Sequence, residues 1–116
     1  ALRFVDNIDP HTLHSLCESL DWQSSAFLII SKSGGTVETL AQSAVLLRQA
    51  KARLGVNYAK HFFMITILDG NALHTLAKAH GIRVIGHDPK LGGRFSIIGN
   101  VGLIPAAAMG LDVRAF

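Results

Sequence analysis

The sequence contains a single cysteine, Cys17, in 116 residues. No intramolecular disulfide can form, and nothing in the cysteine usage marks an oxidising compartment. Charge is sparse as well. Only 16% of residues are charged, eleven basic against eight acidic, for a net +3. That balance suits an anionic partner, but the basic residues are scattered and form no run, which argues against nucleic acid. No apolar stretch reaches the roughly 18–20 residues that a membrane-spanning helix needs. The start of the chain lacks a basic region followed by an apolar stretch, so no signal peptide is expected.

Hydrophobic residues, by contrast, make up 49% of the chain, too many for a disordered segment. The length fits one domain with a real core. The chain opens on Ala1 and closes on Phe116 without a polar tail. Together with the high apolar content, this leads us to expect a segment of something longer.

Short apolar runs alternate with helical periods. Leu2–Val5 reads as a strand. Asp9-Pro10 reads as a helix start, because aspartate caps well and proline at the first position loses no needed donor. Leu13, Leu16, Cys17 and Leu20 then fall on one helical face, which places Cys17 in the core. Phe27–Ile30 is a continuous apolar run, the pattern of a parallel strand buried on both faces. Val37, Leu40, Ala41, Ala44 and Leu47 mark a second helix ending near Gly55. Phe62–Ile67 is a third strand, and Asp69-Gly70-Asn71 turns the chain. Leu73, Leu76, Ala77 and His80 give a helix that Gly81 terminates. Ile82–Ile85 is a fourth strand. The stretch from Ile97 to Met109 is apolar nearly all round and predicts a buried helix. Strands alternating with helices of this length predict an α/β fold, doubly wound, with a parallel sheet.

In such sheets, ligands bind beyond the carboxyl ends of the strands. The loop after Phe27–Ile30 is Ser31-Lys32-Ser33-Gly34-Gly35-Thr36, with three hydroxyls, two glycines and a lysine in six residues. Glycine allows close backbone approach, and a helix beginning near Thr36 offers unpaired N–H groups and the positive end of its dipole. A phosphate fits these donors. The plain alternative is that strand-to-helix turns simply favour Ser, Thr and Gly. The spacing matches neither G-x-G-x-x-G nor G-x-x-x-x-G-K-[ST], which disfavours a dinucleotide or a P-loop nucleotide. Glu38 stands at the third helical position if Gly35 is the cap. It either answers the helix dipole or edges a phosphate pocket. The second candidate is Gly92-Gly93-Arg94-Phe95-Ser96, where Ser96 can cap the following helix. Arg94 needs an anionic partner or an exit to water, and its stem could equally snorkel.

Six histidines are present, at 11, 14, 61, 74, 80 and 87. His11 and His14 lie three apart on the first helix, but no carboxylate or cysteine completes a ligand set there. All six are expected to be solvated or to lie at element edges, and no metal is expected. Cys17 has no adjacent base and is not read as a nucleophile.

The two loops together carry a family resemblance. Ser31–Thr36, with Glu38-Thr39 just after, resembles the sugar-phosphate loop of the glucose-6-phosphate isomerase family. Leu91-Gly92-Gly93-Arg94-Phe95-Ser96 is similar to that family's G-G-R-[FY]-S signature, and Asn7-Ile8-Asp9 resembles the segment before its first helix here. Gly34 and Gly35 replace bulkier or hydroxyl residues of many members, and Pro89 replaces an acidic or small polar one. The resemblance runs over nearly all 116 positions. It implies a SIS (sugar isomerase) domain, a five-stranded αβα sandwich of which residues 1–116 would be the central part. It also implies cofactor-free interconversion of glucose 6-phosphate and fructose 6-phosphate through an enediol. Carried across, Ser31, Lys32, Ser33, Gly34, Gly35 and Thr36 would hold the phosphate. Lys32, Glu38, Gly93 and Arg94 would belong to the catalytic site, the arginine facing enediol charge. The family's base, ring-opening histidine and late lysine would lie beyond Phe116. A cytoplasmic homodimer without nucleic-acid or membrane partners is the further implication. A non-catalytic sugar-phosphate sensor, a transaldolase fusion and an unrelated flavodoxin-like domain remain the alternatives.

Overall fold

The structure, a computed structural model, describes residues 1–115. The first helix, α1 (Pro10–Ser19), starts where the sequence predicts. Asp9 is its N-cap and accepts the Thr12 backbone N–H at 2.8 Å. The Thr12 hydroxyl and then its N–H hold the Asp9 carboxyl below the ordinary range. A 3-10 turn over Trp22–Ser24 follows, and the Trp22 indole N–H donates to the Cys17 carbonyl at 2.9 Å.

Strand β1 (Phe27–Ile30) leads to α2 (Val37–Leu54), then β2 (Phe62–Thr66), α3 (Ala72–His80) and β3 (Arg83–Gly86). The three strands pair in parallel in the order β1-β2-β3, with Ile30 beside Ile65 and Ile65 beside Ile85. The α/β class and the parallel sheet are therefore as expected. Side chains alternate across the sheet. Phe27, Ile29, Phe62, Met64 and Val84 pack with Leu13 and Cys17 of α1, Leu46, Leu47 and Ala50 of α2, and Leu73 and Ala77 of α3. Phe27 and Phe62 stack with ring centroids 4.7 Å apart. Met64 and Leu73 are fully buried, and burial on this scale stabilises by about 1.5–3 kcal/mol per side chain. Gly81 closes α3 in the left-handed region, φ 66°, which glycine adopts without steric cost.

Two expectations fail. Leu2–Val5 is not a strand, and Leu2 and Phe4 are 42% and 77% exposed. Apolar spacing is only half of what a strand needs; the other half is a neighbouring backbone. A cleft of about 560 Å³, lined by residues 1–5 and 26–30, lies between this segment and the outer edge of β1. Among the described residues the sheet thus has three strands, fewer than the five of the implied sandwich.

The second failure is the apolar C-terminal segment. It divides into a 3-10 turn over Gly93–Ile98 and α4 (Asn100–Ala108), and neither has a fully buried residue. Gly99 takes an extended conformation at the break, and Gly102 lies so close to the Ile97 carbonyl that a Cβ there would stand 2.1 Å from it. Ile97 and Ile98 are left exposed. Ser96 does not cap α4; its hydroxyl turns back to the Gly92 carbonyl. Ile104, Pro105 and Ala108 of α4 line a cleft of about 390 Å³ with Leu28, Phe63 and Ile85, on the second face of the sheet. Among the described residues, no helix is long and apolar enough to cross a membrane.

Candidate functional site

Parallel strands in sequential order send all their carboxyl ends to one side, so the loops after Ile30, Thr66 and Gly86 meet there. The first loop is built into the sheet. The Ser31 N–H continues the ladder to Ile65 O at 3.0 Å, and the Lys32 carbonyl accepts from Ile67 N at 3.2 Å. Ser31 and Gly34 are buried, while Ser33, Gly35 and Thr36 are exposed.

Inside the loop the hydroxyls face one another and the backbone. The oxygens of Ser31 and Thr36 are 3.0 Å apart. Ser31 Oγ also accepts from Gly34 N at 3.1 Å, and Ser33 Oγ accepts from Gly35 N at 3.3 Å. Gly34 takes φ 64°, in the region that other L-residues avoid. The cap of α2 is Thr36, not Gly35, and the Thr36 side chain makes no capping hydrogen bond. Its hydroxyl points to Ser31 instead, which leaves the first turn of an 18-residue helix without a side-chain cap. Such a turn favours negative charge through its N–H groups and dipole. Glu38 is therefore the second helical residue rather than the third; it is exposed.

The third loop reaches back to the first. Lys32 Nζ donates to the Leu91 carbonyl at 2.7 Å, which links the first loop to the residue just before the Gly92-Gly93-Arg94 turn. Gly92 caps the 3-10 turn, and a Cβ at Gly93 would meet nothing within 4 Å, so that backbone is open to approach. Arg94 is exposed. The structure thus ties Lys32 of the hydroxyl loop to Leu91, next to the turn that carries Gly93 and Arg94, while Glu38 makes no side-chain hydrogen bond to any of these residues among those described.

Sequence reasoning misses two residues, the last of β2 and one in the loop that follows it. Thr66 is fully buried and its hydroxyl donates to the Lys32 carbonyl at 3.3 Å. Asn71 caps α3 by accepting from His74 N at 2.9 Å, and its amide donates to Thr66 Oγ1 at 3.0 Å. The available signal is an asparagine just before a helix at a strand's carboxyl end. An ordinary turn accounts for that signal equally well.

Among the histidines, His87 departs from expectation. It lies in the loop after β3 but is only 4% exposed, and neither ring nitrogen has a hydrogen-bond partner among the described residues. Its N–H extends the sheet to Thr66 O, which pulls the ring inward with the backbone. His80 pairs with the Tyr58 hydroxyl and His61 with the Ser25 carbonyl. Among the described residues no three His, Cys, Asp or Glu side chains come together as a metal site.

The sequence pattern of the phosphoglucose isomerase family matches residues 1–115. A Carboxydothermus hydrogenoformans protein named glucose-6-phosphate isomerase is 36% identical over 109 residues, which cover 94% of this chain and 24% of that one. A protein of the same name from Thermus thermophilus is 35% identical over 112 residues, 97% of this chain and 27% of its own length. The crystal structure of a hypothetical protein from Thermus thermophilus superposes with a TM-score of 0.92 at 34% identity, over 97% of this chain and 27% of that one. A glucose-6-phosphate isomerase from Chlamydia trachomatis superposes with a TM-score of 0.73 at 31% identity, over 88% of this chain and 19% of that one. The chain spans about a quarter of the length of the curated relatives it matches.

Proposed function

The chain belongs to the phosphoglucose isomerase family, and we propose that it supplies the phosphate anchor and the charge-stabilising arginine of an aldose–ketose isomerase acting on glucose 6-phosphate and fructose 6-phosphate. The observation that carries this reading is the loop over 31–36. Its hydroxyls and glycine backbone surround the uncapped start of α2, and Lys32 ties it to the turn that bears Arg94.

In this reading Ser31, Ser33 and Thr36 donate hydroxyls to the phosphate, and the N–H groups of the uncapped first turn of α2 complete the grip. Lys32 adds positive charge at the same place. Holding the remote phosphate orients the sugar, so binding energy far from the reacting carbons fixes the geometry of the reaction. The reaction moves a proton between neighbouring carbons while the carbonyl moves the other way, and it needs no external oxidant. Gly93 lets the backbone approach the sugar, and the Arg94 guanidinium faces the oxygens that gain negative charge in the enediol. Glu38, exposed on the first turn of α2, joins the polar rim of the site. We assign the proton-moving base to a carboxylate outside these 116 residues.

The test is glucose 6-phosphate binding and turnover by the whole protein that carries this chain. Ser33→Ala combined with Thr36→Ala is expected to raise the sugar-phosphate Kd tenfold or more, on the order of 1.5–3 kcal/mol for hydrogen bonds to a charged group. An unchanged Kd would remove the anchor from this loop. The 116-residue chain alone is expected to show no turnover, and measurable isomerisation by it would overturn the assignment of the base elsewhere.

A further inference from the structure

The grip described for residues 31–36 depends on one backbone angle. Gly34 sits at φ 64°, and a free glycine populates both signs of φ about equally. Something outside the loop must therefore choose. The Gly34 carbonyl accepts from Leu73 N at 2.9 Å, in the first turn of α3. Behind Gly34 stands the Asn71 carboxamide. A Cβ placed on Gly34 would lie 1.7 Å from Asn71 Oδ1 and 2.1 Å from its Cγ, so the amide fills the space a side chain would take.

Asn71 is held more firmly than a helix cap requires. Capping needs only its oxygen, which accepts from His74 N at 2.9 Å. The two protons on its Nδ2 are shared among three acceptors, Ile67 O at 2.8 Å, Asp69 Oδ1 at 2.7 Å and Thr66 Oγ1 at 3.0 Å. Thr66 in turn donates to the Lys32 carbonyl. Asn71 thus meets the loop twice, directly at Gly34 and through Thr66 at Lys32. We propose that Asn71 is a positioning residue of the phosphate-binding loop: it fixes the Gly34 turn and so aims the hydroxyls of Ser33 and Thr36 and the start of α2. This role rests on the phosphate reading above, and Asn71 itself touches no ligand.

The experiment compares variants of the whole protein by glucose 6-phosphate titration, with thermal melting alongside. Asn71→Ser keeps an oxygen for the α3 cap but removes the amide behind Gly34. Its Tm is expected to stay near wild type while its Kd rises about three- to tenfold. Asn71→Asp also keeps the cap, turns the donor into an acceptor facing Ile67 O, and is expected to weaken binding similarly. It carries the same test should the serine variant not fold. Gly34→Ala should weaken binding further, and Gly34→Ala with Asn71→Gly should recover part of the loss, because the colliding amide is gone. Wild-type affinity in both Asn71 variants, or multiplicative effects in the double variant, would overturn the positioning role and leave the phosphate reading standing. Absence of sugar-phosphate binding by the wild-type protein would overturn the phosphate reading and this role with it.

Discussion

The ammonium group of Lys32 donates to the carbonyl oxygen of Leu91 at 2.7 Å, across 59 positions of sequence. This contact joins the loops that follow the two outer strands and passes over the end of the strand between them. It is a direct link between the six-residue turn and the loop that leads into the distant glycine-arginine turn.

Lys32→Met should loosen that link without unfolding the sheet. A hydrogen bond that involves a charged group contributes about 1.5–3 kcal/mol, so the open form of the 87–92 loop should rise roughly tenfold or more. Limited proteolysis within residues 88–94 follows the open population when reclosing is fast. Cleavage at the wild-type rate would mean that the contact holds nothing in place.

Arg94→Ala is expected to lower kcat of the whole protein by roughly 10²–10³, the range found when one preorganised charge stabiliser is lost. KM should move far less, because the proposed phosphate anchor remains. Arg94→Lys should restore only part of the rate, since a flexible point charge does not reproduce a planar fork. An intact kcat with a raised KM would make Arg94 an ordinary binding residue.

Acid should weaken the start of α1 through Asp9. Hydrogen bonds from Thr12 lower its native pKa below the ordinary value of about 3.9. A carboxylate shifted down stabilises the fold above its unfolded pKa, and that contribution disappears as pH falls through the native value. Asparagine caps well at every pH. Asp9→Asn should therefore lose less helicity than wild type in an acid titration followed by circular dichroism. Equal losses would show that the Asp9 cap does not respond to acid.

Cys17 should be slow to react. It is buried at 3% exposure, and burial raises its thiol above the ordinary range. Only the thiolate attacks, so an aromatic disulfide reagent at pH 8 should react at least about tenfold more slowly with native protein than with denatured. The neutral thiol's contribution to stability is complete below about pH 8.5 and is lost as pH rises through the native value. Comparable rates in the two states would place Cys17 outside the core.

Much of this organisation was legible because each element carries its own local signal. Asp9-Pro10 announces α1, the unbroken apolar run Phe27–Ile30 announces a parallel strand, although only Ile29 of it is buried and Leu28 faces a cleft, and Gly81 ends α3. Leu2–Val5 misled because alternation reports which side chains avoid water, while a strand also needs a partner backbone. Ile97–Met109 misled in the opposite way. Its composition argues for one buried helix, but the chain breaks at Gly99 into a 3-10 turn and α4, and α4 faces the sheet only across an open cleft. The hydroxyl loop was visible as a cluster of residue types. Its braces, Thr66 and Asn71, were not, since their importance comes from contacts that only the parallel pairing of β1 and β2 creates.

The order β1-β2-β3 has one more consequence. Neighbouring strands lie about 4.8 Å apart, so the ends of β1 and β3, from which the hydroxyl loop and the loop leading to the arginine turn depart, are separated by roughly 9.6 Å. That interval belongs to the sheet and not to either loop. The middle strand acts as a ruler: residues added to the tips change what is presented at each end, while the length being measured stays fixed.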